Sequence, residues 1–429
     1  ANDTPGAYPP SYYAATVNAL DPFPTLEGDE TADVCVIGGG YTGLSTALHL
    51  AARGFDVVLV EAHRVGWGAS GRNGGQVDSG QRRPQSELEN LLGLDHAKQL
   101  WTLAEEAKAL VKSLIAEYHI ACDLKPGIIH ADHKKRYVDH TRREVEKLQE
   151  DYDYPLVRTL SQEQIRDELG TNIYYGGAID EGAAHLHPLN YALGLAKAAH
   201  QAGARLFERS QVLHYDAGDP CRVRLAHGTV TADFVVLACN GYLEQLDRRT
   251  AARTMPINNF IIATEPLGED RARSVIRNDV AVADSKFVIN YYRLSADKRL
   301  LFGGGETYSY TFPEDIKAFV RPRMLEVYPE LADTSIDFGW GGTLAITVNR
   351  LPYFARLSPN VLTAAGYSGQ GVALATFAGK VLADAIAGMA ERLDLMAKIP
   401  THPFPGGHHL RSPLLVLSMI YYALRDRFF

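Results

Sequence analysis

Cysteine is scarce in this sequence and does not cluster: Cys35, Cys122, Cys221 and Cys239 are the 4 among 429 residues, and no two have CxxC spacing. That pattern argues against a zinc ribbon, a dithiol redox pair and a disulfide framework. Cys35 and Cys239 fall within or beside apolar, strand-like runs, which predicts buried free thiols in a reducing cytoplasm. His185 and His187 flank Leu186 without a third and fourth ligand at sensible spacing, so loop or helix-cap roles are expected and no metal is expected.

Long apolar runs are missing too. No stretch reaches the ~18 apolar residues of a membrane span, and the N-terminus carries no basic-then-apolar export signal, so a cytoplasmic location is expected. The C-terminal PLLVLSMIYYALRDRFF is too short to cross a bilayer; a helix packed on the body is expected, with interfacial membrane contact as its rival. Basic charge is not in excess. Lys and Arg number 43 against 51 Asp and Glu, for a formal net charge of -8, and no basic cluster is interleaved with aromatics, which disfavours a nucleic-acid surface. The expected partner is a small molecule.

Against these absences stands a glycine-punctuated unit at 33–61, DVCVIGGGYTGLSTALHLAARGFDVVLVE. Residues 34–37 are apolar throughout and suit a parallel strand buried on both faces. Gly38, Gly40 and Gly43 then give G-x-G-x-x-G, followed by Leu44, Ala47, Leu48 and Ala51 at helical spacing, Gly54 as a C-cap, and a second apolar strand ending at Glu61. Gly38 permits the tight turn, Gly40 lets backbone approach a pyrophosphate, Gly43 lets the helix pack on the strand, and Glu61 suits a ribose diol. The unit reads as a dinucleotide-binding motif.

The rest of the chain predicts an extended N-terminal arm over 1–30, with Tyr12 and Tyr13 packing on the body or bordering a substrate entrance. A small-residue loop with Trp67, Gly68, Gly71, Arg72, Asn73, Gly74 and Gly75 allows close approach to something flat or charged, unless it is only a connector. A helical region follows at 86–118, and Ser161 with Gln164 forms a capping box. Pro188 opens a helix that Gly203 ends, and the strand 234–238 returns to the central parallel sheet. β-type segments at 254–264, 281–283, 287–294 and 299–303 imply an inserted, mostly antiparallel sheet, and a helix at 314–328 should break at Pro322. The expected fold is α/β: a discontinuous Rossmann-like dinucleotide domain (31–85, 155–245 and 341–390), an inserted α+β substrate domain (86–154 and 246–340), and a C-terminal extension (391–429).

Near the other end the opening logic repeats in AAGYSGQGVALATFAGKVLAD: an apolar strand, a turn at Gly366, Gly369 and Gly371, and a helix whose N-terminus offers N–H groups and a positive dipole end. Two anion-favouring turns suggest one long ligand held at both ends. FAD satisfies this, with pyrophosphate on the first turn and the flavin pyrimidine edge, where charge gathers on reduction, at the second. NAD leaves the second turn idle.

These segments, with WGASGRNGGQ, HLHPLNYALG, YYRLSADKRLLFGGG and NRLPYFARL, resemble the FAD-dependent amine oxidase family that includes D-amino acid oxidase, glycine oxidase and sarcosine oxidase. The resemblance covers nearly the whole chain and is strongest to bacterial members acting on gamma-glutamyl polyamines. It implies hydride transfer from a primary amine to the flavin, reoxidation by O2 to peroxide, and release of an aldehyde and ammonia. In residues, it implies cofactor contacts from Gly38, Gly40, Tyr41, Thr42, Gly43, Glu61, Ala62, Gly68, Ala69, Ser70, Arg72, Asn73, Gly74, Gly75 and Gln76. Val212, Gly241, Gly366, Tyr367, Ser368, Gly369, Gln370 and Gly371 complete that set. Relatives with covalent flavin use a His in the early loop or a Cys before the late turn; only His63 lies in these neighbourhoods, so noncovalent FAD is expected.

The chemistry calls for an aromatic wall that holds a neutral amine and keeps water out, and the candidates are Trp67, Tyr291, Tyr292, Trp340 and Tyr367, with Arg72 beside them. Core packing is the alternative for each aromatic. Arg293 and Arg350 are candidates for a substrate carboxylate, and Lys286 for promoting oxygen reduction, although an exposed lysine is the simpler expectation. A dehydrogenase passing electrons to a quinone, and a redox-silent FAD-binding protein, are the rival functions.

Overall fold

The computed structural model describes residues 4, 6–307 and 311–405, and within them the chain builds two sheets. The first has 8 strands and runs in the order Tyr353–Ser358, Val361–Ala365, Thr229–Leu237, Glu30–Ile37, Val57–Val60, Arg205–Phe207, with the antiparallel pair Val212–Asp216 and Cys221–Leu225 attached to Thr229–Leu237. Its centre is parallel: Ile37 lies opposite both Leu237 and Val60, and Leu237 opposite Thr363. The uninterrupted apolar runs dictate this, because Val34, Cys35, Val36 and every residue of Val57–Val60 are buried, leaving no face for water. The sheet draws its strands from three separated stretches of chain.

Two helices cover one face side by side, Tyr41–Ala51 and Gly371–Ile386. Their approach is close enough that a Cβ on Gly379 would lie 2.4 Å from the Thr42 carbonyl oxygen. Small polar residues stitch the seam, with Ser45 Oγ donating to the Thr376 carbonyl at 2.6 Å and Thr46 Oγ1 to that of Gly379 at 3.2 Å. Helix Leu94–Glu117 packs over Gly371–Ile386, and Gly93, at φ +85°, separates it from Gln85–Leu92, so the predicted single helical region is two helices.

The second sheet has 9 strands, in the order Ile336–Ile346, Met255–Thr264, Leu300–Thr307, Tyr291–Leu294, Ala281–Asp284, Lys125–Ala131, Gly177–His185, Gln76–Val77, with Val157–Leu160 also on Gly177–His185. All its pairings are antiparallel except Ala281–Asp284 with Lys125–Ala131. The mixed α/β architecture matches the expectation. The second sheet also takes strands from 76–77 and 157–185, segments that hydrophobic pattern alone assigns to the first domain.

The capping box at Ser161 and Gln164 is present, and His187 is the N-cap of helix Pro188–Gln201, its Nδ1 accepting the Asn190 N–H at 3.1 Å. Two local expectations need correcting. Pro322 does not break its helix; Ile316–Val327 runs through it, because Val320, Met324 and Val327 are fully buried and each such side chain returns ~1.5–3 kcal/mol against the ~3 kcal/mol a helical proline costs. The N-terminal arm is not simply extended: Ser11 caps a one-turn helix Tyr12–Ala15, whose two tyrosines are buried. The C-terminal apolar segment lies outside the described residues. Among the described residues no helix is long and apolar enough to cross a membrane.

Candidate active site

A cavity of about 1260 Å³ opens where the carboxyl ends of the parallel strands meet the second sheet. An ordinary small-molecule pocket has roughly 300–1,000 Å³. The space suits a long ligand with room for a second, smaller one.

At one end is the first glycine turn. Gly38 takes φ +110°, and a Cβ there would lie 2.8 Å from the Ala238 carbonyl oxygen. Gly40 is the N-cap of Tyr41–Ala51, with no side-chain cap, and a Cβ on it would meet Ser70 Oγ at 2.9 Å. The helix thus presents N–H groups and the positive end of its dipole to the cavity. A Cβ on Gly43 would sit 1.9 Å from the Gly38 carbonyl oxygen, so helix and turn touch through backbone. Glu61 accepts the N–H of Gly39 at 2.7 Å and that of His63 at 2.9 Å; burial raises its pKa, and these N–H bonds oppose the rise. Glu61 lines the cavity together with Ala62 and Val212.

The small-residue loop forms the middle of the wall. Trp67 lies between His63, stacked at 3.8 Å, and the Arg72 guanidinium, 4.0 Å from the ring centroid. Arg72 Nε donates to the Trp67 carbonyl at 2.7 Å and Nη1 to that of Gly341 at 3.3 Å, so this arginine clamps the loop to the second sheet. Asn73 folds the loop on itself, donating to Ala69 and Ser70 carbonyls and accepting the Gly75 N–H at 2.8 Å. Gly74 lies under the Tyr291 ring, where a Cβ would come within 2.7 Å, and Gln76 Nε2 reaches the Val282 carbonyl at 2.9 Å. Trp67, Gly68, Ala69, Ser70, Arg72, Asn73, Gly74 and Gln76 all line the cavity.

At the other end, Val361–Ala365 leads through Gly366, Ser368 and Gly369, all at positive φ, into Gly371–Ile386, again without a side-chain cap. Tyr367, Ser368, Gly369, Gln370 and Gly371 line the cavity. The Tyr367 hydroxyl lies 2.6 Å from Thr42 Oγ1, in the first turn of the other helix. Both uncapped helix ends therefore open on one space.

A polar belt borders the second turn. Gln370 Nε2 donates to Asp78 at 3.2 Å, and Asp78 accepts from His130 Nε2 at 3.2 Å. Burial opposes both charges, but the pair overrides it: His130 stands at about 8 and Asp78 below the usual carboxylate range. Arg82, Arg350, Lys286 and Glu306 also line the cavity, with Lys286 ion-paired to Glu326 at 3.1 Å. Asp78, Arg82 and His130 escape sequence reasoning, although Asp78 and Arg82 follow directly on the glycine loop in QVDSGQRRP.

Three of the catalytic and substrate candidates do not reach the cavity. Tyr292 is in the core behind the second sheet, stacked on Phe302 at 5.3 Å and edge-on to Tyr328. Trp340 lies behind the loop, its Nε1 donating to the Arg72 carbonyl at 3.1 Å and its ring packed on Tyr13. Arg293 is a structural bracket, donating to the carbonyls of Gly74 at 2.9 Å and Leu186 at 2.8 Å. Gly43, Gly75, Gly241 and Gly366 stand one layer back, where they admit neighbouring backbone or side chains rather than line the space. Among the described residues no group of three His, Cys, Asp or Glu side chains is placed to hold a metal ion.

A glycine cradle that any Cβ would crowd, a buried acid beside it and a second uncapped helix end across the same cavity fit FAD, and they define the class as a flavin-dependent oxidoreductase. Comparison with known proteins makes this specific. The chain belongs to the DAO family of FAD-dependent oxidoreductases, whose pattern it matches over residues 33–385. It is 42% identical over 418 residues to gamma-glutamylputrescine oxidoreductase of Escherichia coli (strain K12), covering 97% of this chain and 98% of that protein. It is likewise 42% identical over 419 residues to a probable oxidoreductase, OrdL, of Rhizobium meliloti (strain 1021), covering 97% of each. Among solved structures, glycine oxidase from Geobacillus kaustophilus superposes with a TM-score of 0.71 at 22% identity, covering 84% of this chain and 95% of that one. L-proline dehydrogenase from P. horikoshii superposes with a TM-score of 0.69 at 21% identity, covering 86% and 96%.

Proposed function

We propose that this protein oxidises the primary amine of a gamma-glutamyl polyamine such as gamma-glutamylputrescine, with noncovalent FAD, converting amine, O2 and water to aldehyde, ammonia and hydrogen peroxide. The observation that carries the reading is the pair of uncapped helix ends joined through Thr42 and Tyr367 on one cavity, taken with the 42% identity to gamma-glutamylputrescine oxidoreductase. When bound, the flavin supplies the acceptor for two electrons and a proton as hydride.

The chain's own residues bind and orient. The turn at Gly38 and Gly40 takes the pyrophosphate and Glu61 the ribose diol, and the Tyr367–Gly371 turn meets the pyrimidine edge with N–H groups and dipole. Tyr291, whose hydroxyl donates to Asn259 Oδ1, offers a fixed aromatic face resting on Gly74. Tyr291, Trp67 and Tyr367 make the apolar side of the space, where a neutral amine loses its water shell and keeps one orientation. Arg350, alone of the arginines singled out for substrate, borders that space.

The test is the visible spectrum of the holoenzyme under anaerobic addition of an amine panel. Gamma-glutamylputrescine is expected to bleach the flavin, and readmitted air to restore it within the turnover time. Bleaching by glycine or D-amino acids but not by gamma-glutamylputrescine rejects the substrate; slow recovery in air with fast recovery on adding a quinone rejects the oxidase assignment.

A further inference from the structure

One imidazole on the cavity wall is held on one side and open on the other. His130 Nε2 meets Asp78 Oδ1 at 3.2 Å, and Asp78 is held in turn by the Ser79 N–H at 2.9 Å and by Gln370 Nε2 at 3.2 Å. A carboxylate only accepts, so the neutral imidazole carries its N–H on Nε2 and keeps a lone pair on Nδ1. Nδ1 has no hydrogen-bond partner among the described residues, and the ring, 44% exposed, lines the cavity.

Sheet register sets this ring beside the aromatic wall. His130 pairs with Ala283 and Ala283 with Tyr291, so the three side chains share one face of the second sheet, and all three line the cavity. Two strand spacings, roughly 10 Å, separate His130 from Tyr291, and the small Ala283 leaves the space between them open. Other titratable groups of the cavity are already engaged. Lys286 is paired with Glu326 at 3.1 Å, Asp284 accepts from Asn290 N and Nδ2, each at 2.9 Å, and burial raises the phenols of Tyr291 and Tyr367. At His130 itself burial opposes the charged ring, Asp78 and Asp180 favour it and Arg82 opposes it, and the balance stands at about 8. From neighbouring elements His140, Glu144 and Glu306 also line the cavity, and Asp132 feels the charge of the ring.

We propose that His130 takes the proton from the substrate ammonium, with Asp78 as its positioning residue; this rests on the amine-oxidising reading above. An alkylammonium has a pKa close to that of lysine, about 10.4, and its carbon cannot release hydride until the nitrogen has a free lone pair. One ammonium N–H bond breaks, its electron pair stays on the amine nitrogen, and the proton forms a new bond to Nδ1. Making hydrogen peroxide from O2 takes up one hydride equivalent and one proton, so the proton given up before oxidation is matched by the one consumed after it. A base with a pKa near the working pH is the kind that proton transfer favours, and the Asp78 carboxylate brings the ring there.

The pH profile of kcat/KM for gamma-glutamylputrescine tests this in the holoenzyme. A neutral base acting on a charged amine gives a bell that rises through about 8 and falls through about 10, whereas direct capture of the free amine gives only a rise to about 10. Wild type should show the bell. Asp78→Asn should move the rising limb down by at least about one pH unit, and His130→Gln should abolish the bell and lower kcat/KM at about pH 9 on the order of 100-fold. Imidazole added to His130→Ala should restore turnover, which a merely structural role does not predict. Apart from turnover, the imidazole NMR spectrum of the flavin-loaded protein should contain a histidine titrating at about 8 that is missing from His130→Gln and shifted down in Asp78→Asn. A bell retained in His130→Gln, a bell lost only in Glu306→Gln, or a rise without a fall in wild type overturns the assignment and leaves the amine-oxidising reading standing. Wild type that bleaches with no amine at any pH overturns both. Flavin content reports on folding, and where His130→Gln loses flavin, Asp78→Asn carries the test.

Discussion

The hydroxyls of Thr42 and Tyr367 lie 2.6 Å apart, joining two glycine turns that are 325 positions apart in sequence. Both residues are buried, and burial raises the pKa of Tyr367, so the contact is one between neutral hydroxyls. It fixes the spacing of the two helix ends that face the cavity.

Removing this bond should loosen the cofactor more than the fold. Tyr367→Phe keeps the ring and leaves Thr42 Oγ1 without its partner, an expected cost of about 1–2 kcal/mol. The check is flavin retention during gel filtration alongside the apoprotein Tm: the variant should shed flavin faster than wild type, and equal retention contradicts the linkage.

Gly43→Ala should abolish flavin binding. Its Cβ would be placed 1.9 Å from the Gly38 carbonyl, where the clashing atom is backbone and has no rotamer to escape into. Gly371→Ala provides the contrast, since its Cβ would find only the Tyr367 Cβ at 3.8 Å, an ordinary contact, and the fold should survive. Soluble yield and the 450 nm band of both purified variants decide; a yellow, stable Gly43→Ala protein defeats the packing argument.

The Asp78–His130 pair should make stability fall at alkaline pH. His130 rises from 6.5 to about 8 on folding, so its contribution is complete below about 6.5 and is lost as pH climbs through 8. The ring is 44% exposed, so screening keeps the effect below about 1 kcal/mol. Urea midpoints at pH 6 and pH 9 should differ more for wild type than for Asp78→Asn; an identical pH response in the two proteins removes the pair from the account.

Local rules made the first turn legible. Gly38, Gly40, Gly43 and Glu61 are close in sequence, and strand, turn and helix each carry their own pattern. The substrate side resisted reading because neighbouring residues of a strand face opposite ways. Tyr291 and Tyr292 occupy one strand, and nothing in YYRL says which faces the cavity; register against Leu300–Thr307 decides it, sending Tyr291 to the site and Tyr292 to the core. Arg293 shares the face of Tyr291 but meets the carbonyls of Gly74 and Leu186, partners supplied by distant chain. Arg82, in the loop before Gln85–Leu92, and His130, on Lys125–Ala131, reach one cavity only through the tertiary fold. Composition carries no trace of such a meeting.

The first sheet places Glu30–Ile37 beside Thr229–Leu237, and that strand in turn beside Val361–Ala365, with Gly371–Ile386 laid on the helix that follows the first strand. A ribosome delivers these pieces in order, so the opening strand and its glycine turn emerge long before their neighbours exist. The nascent chain must wait, at roughly 5–20 residues per second, until helix Gly371–Ile386 clears the exit tunnel. Flavin capture is thus a late event in biosynthesis, and a chain cut short before Ile386 would hold half a site and no means of closing it.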